Sequence, residues 1–121
     1  MVTDAVLLAV NGTLMRGLEL SPNMVDAGAC FVEEAATAPC YRLWSVNDAH
    51  PAMQRVSDGA GASVACELWL VPPSGLGRIL EKEPPGLCVG KVVLDDGRVV
   101  LGVLGEAFLV EGQARAGGRR W

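Results

Sequence analysis

Residues 6–20 read VLLAVNGTLMRGLEL. The apolar run from Val6 to Val10 stops at Asn11-Gly12-Thr13, and Arg16 and Gly17 follow. An unbroken apolar run suits a strand covered on both faces, so this one predicts a central strand, begun as early as Val2. A tight polar turn comes next. Glycine accepts backbone angles that other residues avoid, so a turn through Gly12 can set successive N–H groups in a concave row. Such a row favours a carboxylate or an oxyanion. The plain alternative is an ordinary turn in which the Thr13 hydroxyl bonds its own backbone.

Working outward, glycine and proline cut the chain into short pieces. Ser21 as cap and Pro22 at the first helical position predict a short helix through Asn23–Ala27, stopped by Gly28. Ala29–Glu34 and Tyr41–Val46 predict two strands joined by a turn near Pro39, and Asn47–Ala52 predicts a loop. Ala62–Val71 (ASVACELWLV) alternates: Val64, Cys66, Leu68 and Leu70 share one face, and Ala65, Glu67, Trp69 and Val71 the other. Ser74 is expected to cap a helix through Leu76, Ile79 and Leu80 to Lys82. Glu83-Pro84-Pro85-Gly86 ends it, because a residue before proline is pushed out of helical geometry. Cys88–Leu94 and Val99–Val110 predict strands joined by a hairpin turn at Asp95-Asp96-Gly97.

These segments make about six strands and two short helices, with no βαβ alternation. They predict an α+β fold: a small mixed β-barrel-like sheet with short helices packed outside. Residues 1–111 are expected to form a single domain and 112–121 a flexible tail.

The chain has 121 residues, half of them apolar, and a net charge of -4. That composition fits one globular domain with a real core. Adjacent arginines occur only at Arg119-Arg120, so no basic stripe is present to neutralise phosphates, and nucleic acid is not expected as a partner. No apolar run nears the ~20 residues that span a bilayer, and the start lacks the pattern of a secretion signal, so the expectation is a cytoplasmic protein without a membrane partner. Cys30, Cys40, Cys66 and Cys88 are widely spaced and are expected to be reduced thiols in or near the core. With His50 the single histidine, neither a metal nor a cofactor is expected.

The stretch VNGTLMRG resembles the Y-G-[ST]-L-x-x-G opening loop of the γ-glutamylcyclotransferase-like family, above all its γ-glutamylamine branch. Gly12, Thr13, Leu14, Arg16 and Gly17 match, and Asn11 stands where that family usually has tyrosine. HPAMQRV at His50–Val56 resembles its P-A-[LMI] segment, and ACELWLV at Ala65–Val71 its G-E-L-[YW]-x-V strand. LGRILEKEP at Leu76–Pro84 takes the place of the helix ending in L-D-x-L-E-G-[YF]-P, with Ile79-Leu80 where an acid is usual. The C-terminal half, PPGLCVGKVVLDDGRVVLGVLGEAFLVEGQAR, is similar to the accessory C-terminal domain of allophanate hydrolases, which shares that fold. Together the blocks cover about residues 5–115, and no amidase domain accompanies them.

The resemblance implies a site. Asn11, Gly12, Thr13 and Leu14 would hold the substrate's carboxylated portion, and Glu83, aligned through LEKEP, would be the catalytic carboxylate. Glu81 is the alternative register, and both acids could instead be solvated at a helix end. Glu67 either supports the pocket or pairs with Glu83 across it. Arg16 either steers a carboxylate or is simply solvated. Tyr41, with Arg42, would lie near the pocket mouth. His50 is either a proton shuttle or an exposed loop residue, and Glu106 is expected at a sheet edge.

Two functions follow. In the first, an enzyme releases 5-oxoproline from a small γ-glutamyl amine or amide. The α-amine attacks the γ-carbonyl, Glu83 moves the proton, and loop N–H groups stabilise the oxyanion. In the second, a free-standing module similar to the allophanate hydrolase C-terminal domain binds a small carboxylated ligand or an amidase-type protein, without cyclotransferase activity. A homodimer is a further partner to consider.

Overall fold

The initial strand β1 (Val6–Val10) lies at the centre of the computed structural model, which describes residues 4–116. On one side it pairs antiparallel with β5 (Ala65–Val71), Leu8 opposite Trp69. On the other it pairs parallel with β7 (Val99–Gly105), Leu8 opposite Leu101. β2 (Cys30–Ala36) borders β5, and β6 (Leu87–Val93) borders β7, giving the order β2-β5-β1-β7-β6.

Both faces of β1 are covered, which is why its sequence is apolar without alternation. On one face Leu8 and Val10 pack with Met24 of α1 (Ser21–Asp26) and Ile79 of α2 (Pro73–Lys82). On the other, Ala9 packs with Cys66, Leu68 and Leu94. Burying a side chain such as Leu8 contributes about 1.5–3 kcal/mol. In β5 the alternation holds as expected: Glu67 and Trp69 face the helix side with Val71, and Cys66 and Leu68 face away.

A second sheet has the order β4-β3-β8, from β3 (Tyr41–Val46), β4 (His50–Arg55) and β8 (Ala114–Arg115). Tyr41 and Met53 join it to the first through Val64 and Val92. The expected α+β class is present. The strands number eight, not six, and lie in two sheets that do not close into a barrel among the described residues.

Five local expectations are corrected. The loop predicted at Asn47–Ala52 is a tight turn followed by β4. Asn47 and Asp48 take φ of 51° and 58°, the left-handed pair that joins twisted strands in a short hairpin. Pro51 is tolerated because β4 is an edge strand. The strand predicted over Val99–Val110 stops at Gly105, and Ala107–Val110 is a helical turn, α3. Neither Ser21 nor Ser74 caps its helix: the cap positions are Leu20 and Pro72, with no side-chain cap bond. The tail expected from residue 112 is tied down in its first part. Trp44 pairs with Arg115, and the Ala116 N–H donates to the Leu43 carbonyl. Residues 117–121 of that expected tail lie outside the described residues. The four cysteines are free thiols, and Cys30 is exposed rather than in the core. No described helix is long and apolar enough to cross a membrane.

Candidate functional site

The site begins where β1 runs out. Asn11 is still extended, Gly12 turns to φ +78°, and Gly12–Leu14 make one 3-10 turn closed by the Met15 N–H on the Gly12 carbonyl at 3.0 Å. The N–H groups of Gly12 and Thr13 precede that i→i+3 bonding and are not consumed by it. The Leu20 N–H donates to the Thr13 carbonyl at 2.9 Å and pins the far end of the loop. Asn11 donates its side-chain amide to the Val103 carbonyl at 3.3 Å. Gly12 lies directly against Pro51, so the HPAM and NGTL segments, distant in sequence, form one wall.

The opposite wall is the end of α2. Glu83 is its C-cap, with extended backbone angles and its N–H on the Leu80 carbonyl. Gly86, at φ +93°, reverses the chain after the two prolines, and its carbonyl accepts from the Glu106 N–H at 2.8 Å. Phe108 and Leu109 of α3 crowd the α-carbon of Gly86. The bend that carries Glu83 is therefore held by the sheet-end helix, not left hanging.

Glu83, Asn11, Thr13, Leu14, His50 and Met53 are among the residues that enclose one cavity of about 10 Å³. That is near the lower limit for a single water. Glu83 Oε1 is buried and has no hydrogen-bond partner among the described residues. Burial pushes the Glu83 carboxyl up to about 7. A carboxyl titrating there is available as both acid and base near neutral pH. Glu81, two residues earlier, is exposed on α2.

Other sequence candidates lie elsewhere. Glu67 is buried but does not border the Glu83 cavity, so the two carboxylates do not form the pair considered above. Its Oε1 accepts from the Arg16 N–H at 2.9 Å and the Trp69 indole at 3.2 Å, and its Oε2 from Arg16 Nε at 3.0 Å. Burial alone would raise the Glu67 carboxyl, but these bonds with Arg16 and Trp69 outweigh it and hold the group below its ordinary range. Arg16 is correspondingly committed: it also bonds Glu34 and lies 3.5 Å over the Phe31 ring centroid. It braces the loop from behind and does not border the cavity, so it does not take the steering position considered for it. Tyr41 is buried, and its hydroxyl accepts from the Val93 N–H at 2.9 Å. It borders a separate, larger groove that meets the cavity at Asn11.

His50, read as either a shuttle or an exposed loop residue, opens β4 half-buried, with Nδ1 3.1 Å from the Pro51 carbonyl oxygen. Val103 was not singled out by sequence, and the pairing of β7 with β1 brings it in; Met53, of the HPAM segment, reaches the cavity because β4 lies beside the loop end of β1. Glu106 is exposed and acts through its backbone as the α3 cap. Among the described residues no group of three His, Cys, Asp or Glu side chains could hold a metal ion.

The two sheets and outer helices have a γ-glutamylcyclotransferase-like fold. Structural likeness extends to a γ-glutamyl cyclotransferase at TM-score 0.59 and 12% identity, over 93% of this chain and 70% of that one; at that identity it is a likeness of fold alone. The chain belongs to the allophanate hydrolase C-terminal domain family, whose sequence profile matches residues 6–116. It is similar to a crystallised uropathogenic E. coli-specific protein, with 54% identity and TM-score 0.90 over 93% of this chain and 88% of that one. Kluyveromyces lactis allophanate hydrolase matches at 27% identity and TM-score 0.87, over 93% of this chain but 19% of the enzyme. Urea amidolyase of Lachancea kluyveri is 28% identical over 109 residues, which are 87% of this chain and 6% of the amidolyase. In the two enzymes the module is thus a small part of a much longer protein.

Proposed function

We propose that this chain binds a small carboxylated urea-type anion, allophanate or a product of its hydrolysis, in the Glu83 cavity, and that Glu83 is its general acid and base. The observation that carries this reading is the buried, unpartnered Glu83 Oε1 across from Thr13 and Leu14. A protonated Glu83 offers one hydrogen bond to an anion, and the Thr13 N–H offers another. Both donors gain strength from the low local dielectric. His50 borders the same cavity from the Thr13 side.

The cavity of about 10 Å³ is near the limit for a single water, so either ligand must displace side chains, the smaller allophanate fewer of them. The ligand class also suits a family named for allophanate hydrolase. An amidase-type protein is the corresponding class of partner, since the long relatives carry the module within a larger chain.

The test is nuclear magnetic resonance with allophanate and, in parallel, γ-glutamyl amines assayed for 5-oxoproline. Allophanate is expected to shift the Thr13 and Leu14 amides, and any turnover is expected to vanish in Glu83→Gln while the shifts persist. Release of 5-oxoproline with no response to allophanate would establish the cyclotransferase reading instead.

A further inference from the structure

We infer that the groove beside the loop is a second binding site, for a small carboxylic acid with an apolar tail. It is separate from the Glu83 cavity and does not depend on the function proposed for it. The groove has a volume of about 440 Å³, within the range of small-molecule sites. Met15, Leu18 and Leu43 give it an apolar lining, backed by the buried Tyr41. The charged residues bordering it are Arg42 and Arg115, both cationic, in a chain whose net charge is -4.

The two arginines share one face of the small sheet, the one opposite Tyr41 and Leu43, and so meet the groove at its rim. Arg115 lies directly opposite Trp44 in the β3–β8 pairing, and Arg42 is two residues from Trp44 on the same strand. Arg42 is largely buried, with 12% of its side chain exposed. One terminal nitrogen is held by Asp58 at 3.1 Å and approaches the Ala60 carbonyl at 3.4 Å. Its Nε is buried without a hydrogen-bond partner among the described residues. Arg115 is exposed and forms no ion pair among the described residues. A cation without an ion pair among the described residues, at the rim of an apolar trough and with an orphaned Arg42 Nε beside it, suits one chemistry: a carboxylate end to pair with Arg115 and a hydrocarbon body to cover the trough.

Hexanoate and its neutral amide, hexanamide, test this by NMR titration of the full chain. Hexanoate is expected to bind saturably, with shifts confined to residues 11–18, 41–43, 60–65 and 115–116. Hexanamide is expected to bind about tenfold more weakly, the scale of one charge-assisted hydrogen bond. Arg115→Ala is expected to weaken hexanoate alone. Ala62→Trp, at an exposed groove position, is expected to abolish binding. Ala60→Trp gives the same test should the first variant fold poorly. Glu83→Gln is expected to leave hexanoate binding intact, which separates this site from the cavity. Equal affinity for acid and amide, shifts outside the groove, or no saturable binding would each overturn the inference.

Discussion

Gly12 rests on the ring of Pro51: a Cβ at Gly12 would lie 2.3 Å from the proline Cγ and 2.7 Å from its Cδ. The contact locks the turn after β1 to the first residues of β4 and so fixes one wall of the cavity. Gly12 also holds φ +78°, which a side chain resists. Gly12→Ala is therefore expected to cost about 2–4 kcal/mol, backbone strain plus overpacking. Urea denaturation measures it. Pro51→Ala removes the clashing atoms, so the double variant is expected to recover part of the loss.

Glu83 makes stability depend on pH. Its folded value of about 7 lies above its ordinary value of 4.5. The folded state therefore binds the proton more tightly than the unfolded state between those two pH values. Stability is fully present below the lower value and falls as pH rises through about 7, by roughly 2–3 kcal/mol. Glu83→Gln is expected to abolish that slope and to be the more stable protein at pH 8. Thermal melts from pH 4 to pH 9 would show both.

Glu67 works in the opposite direction. Its depressed carboxyl contributes stability above the ordinary carboxylate range, and the contribution is lost as pH falls through the folded value. Glu67→Gln places an amide against three donors, from the Arg16 backbone, the Arg16 guanidinium and the Trp69 indole. The expected loss is about 2–4 kcal/mol at pH 7, since a buried ionic network is broken on one side. The gap between variant and parent is expected to narrow in acid. Added salt should trim it only in part, because Arg16 is half exposed while Glu67 is not.

Tyr41→Phe deletes the acceptor of the Val93 N–H and leaves that backbone donor without its partner. A loss of about 1–3 kcal/mol is expected. Amide exchange at Val93 is expected to accelerate, a readout that simple loss of packing would not give.

The strands that sequence reveals best are those whose environment is uniform. β1 is apolar throughout because both its faces are covered, and β5 alternates between two distinct faces. β4 is hidden because its histidine, proline and preceding Asn47-Asp48 all carry turn character, and only the edge position makes them compatible with a strand. β8 is hidden because two residues of pairing leave no periodicity to detect. The prediction of one curled sheet missed the division into two for a similar reason: which strand pairs with which is a tertiary matter. In the site, the glycine turn and the proline-flanked Glu83 carry local signals. His50 and Met53 carry none that distinguishes them, because their place beside the loop is created by the hairpin that local propensity argued against. Arg16 reads from sequence as either steering or solvated, and Glu67 as either pocket support or a partner of Glu83; in the fold they satisfy each other.

The parallel pairing of β1 with β7 also bears on how the protein is made. Leu8 finds its neighbour Leu101 only after all the intervening strands have emerged. Until then one flank of the most apolar strand lacks its hydrogen-bonding neighbour, and closing so long a loop is a slow, late event. The nascent chain therefore passes through an interval in which its future centre is open to chaperones and to self-association. Variants that slow formation of the β6–β7 hairpin should lower soluble yield even where the finished fold is unharmed.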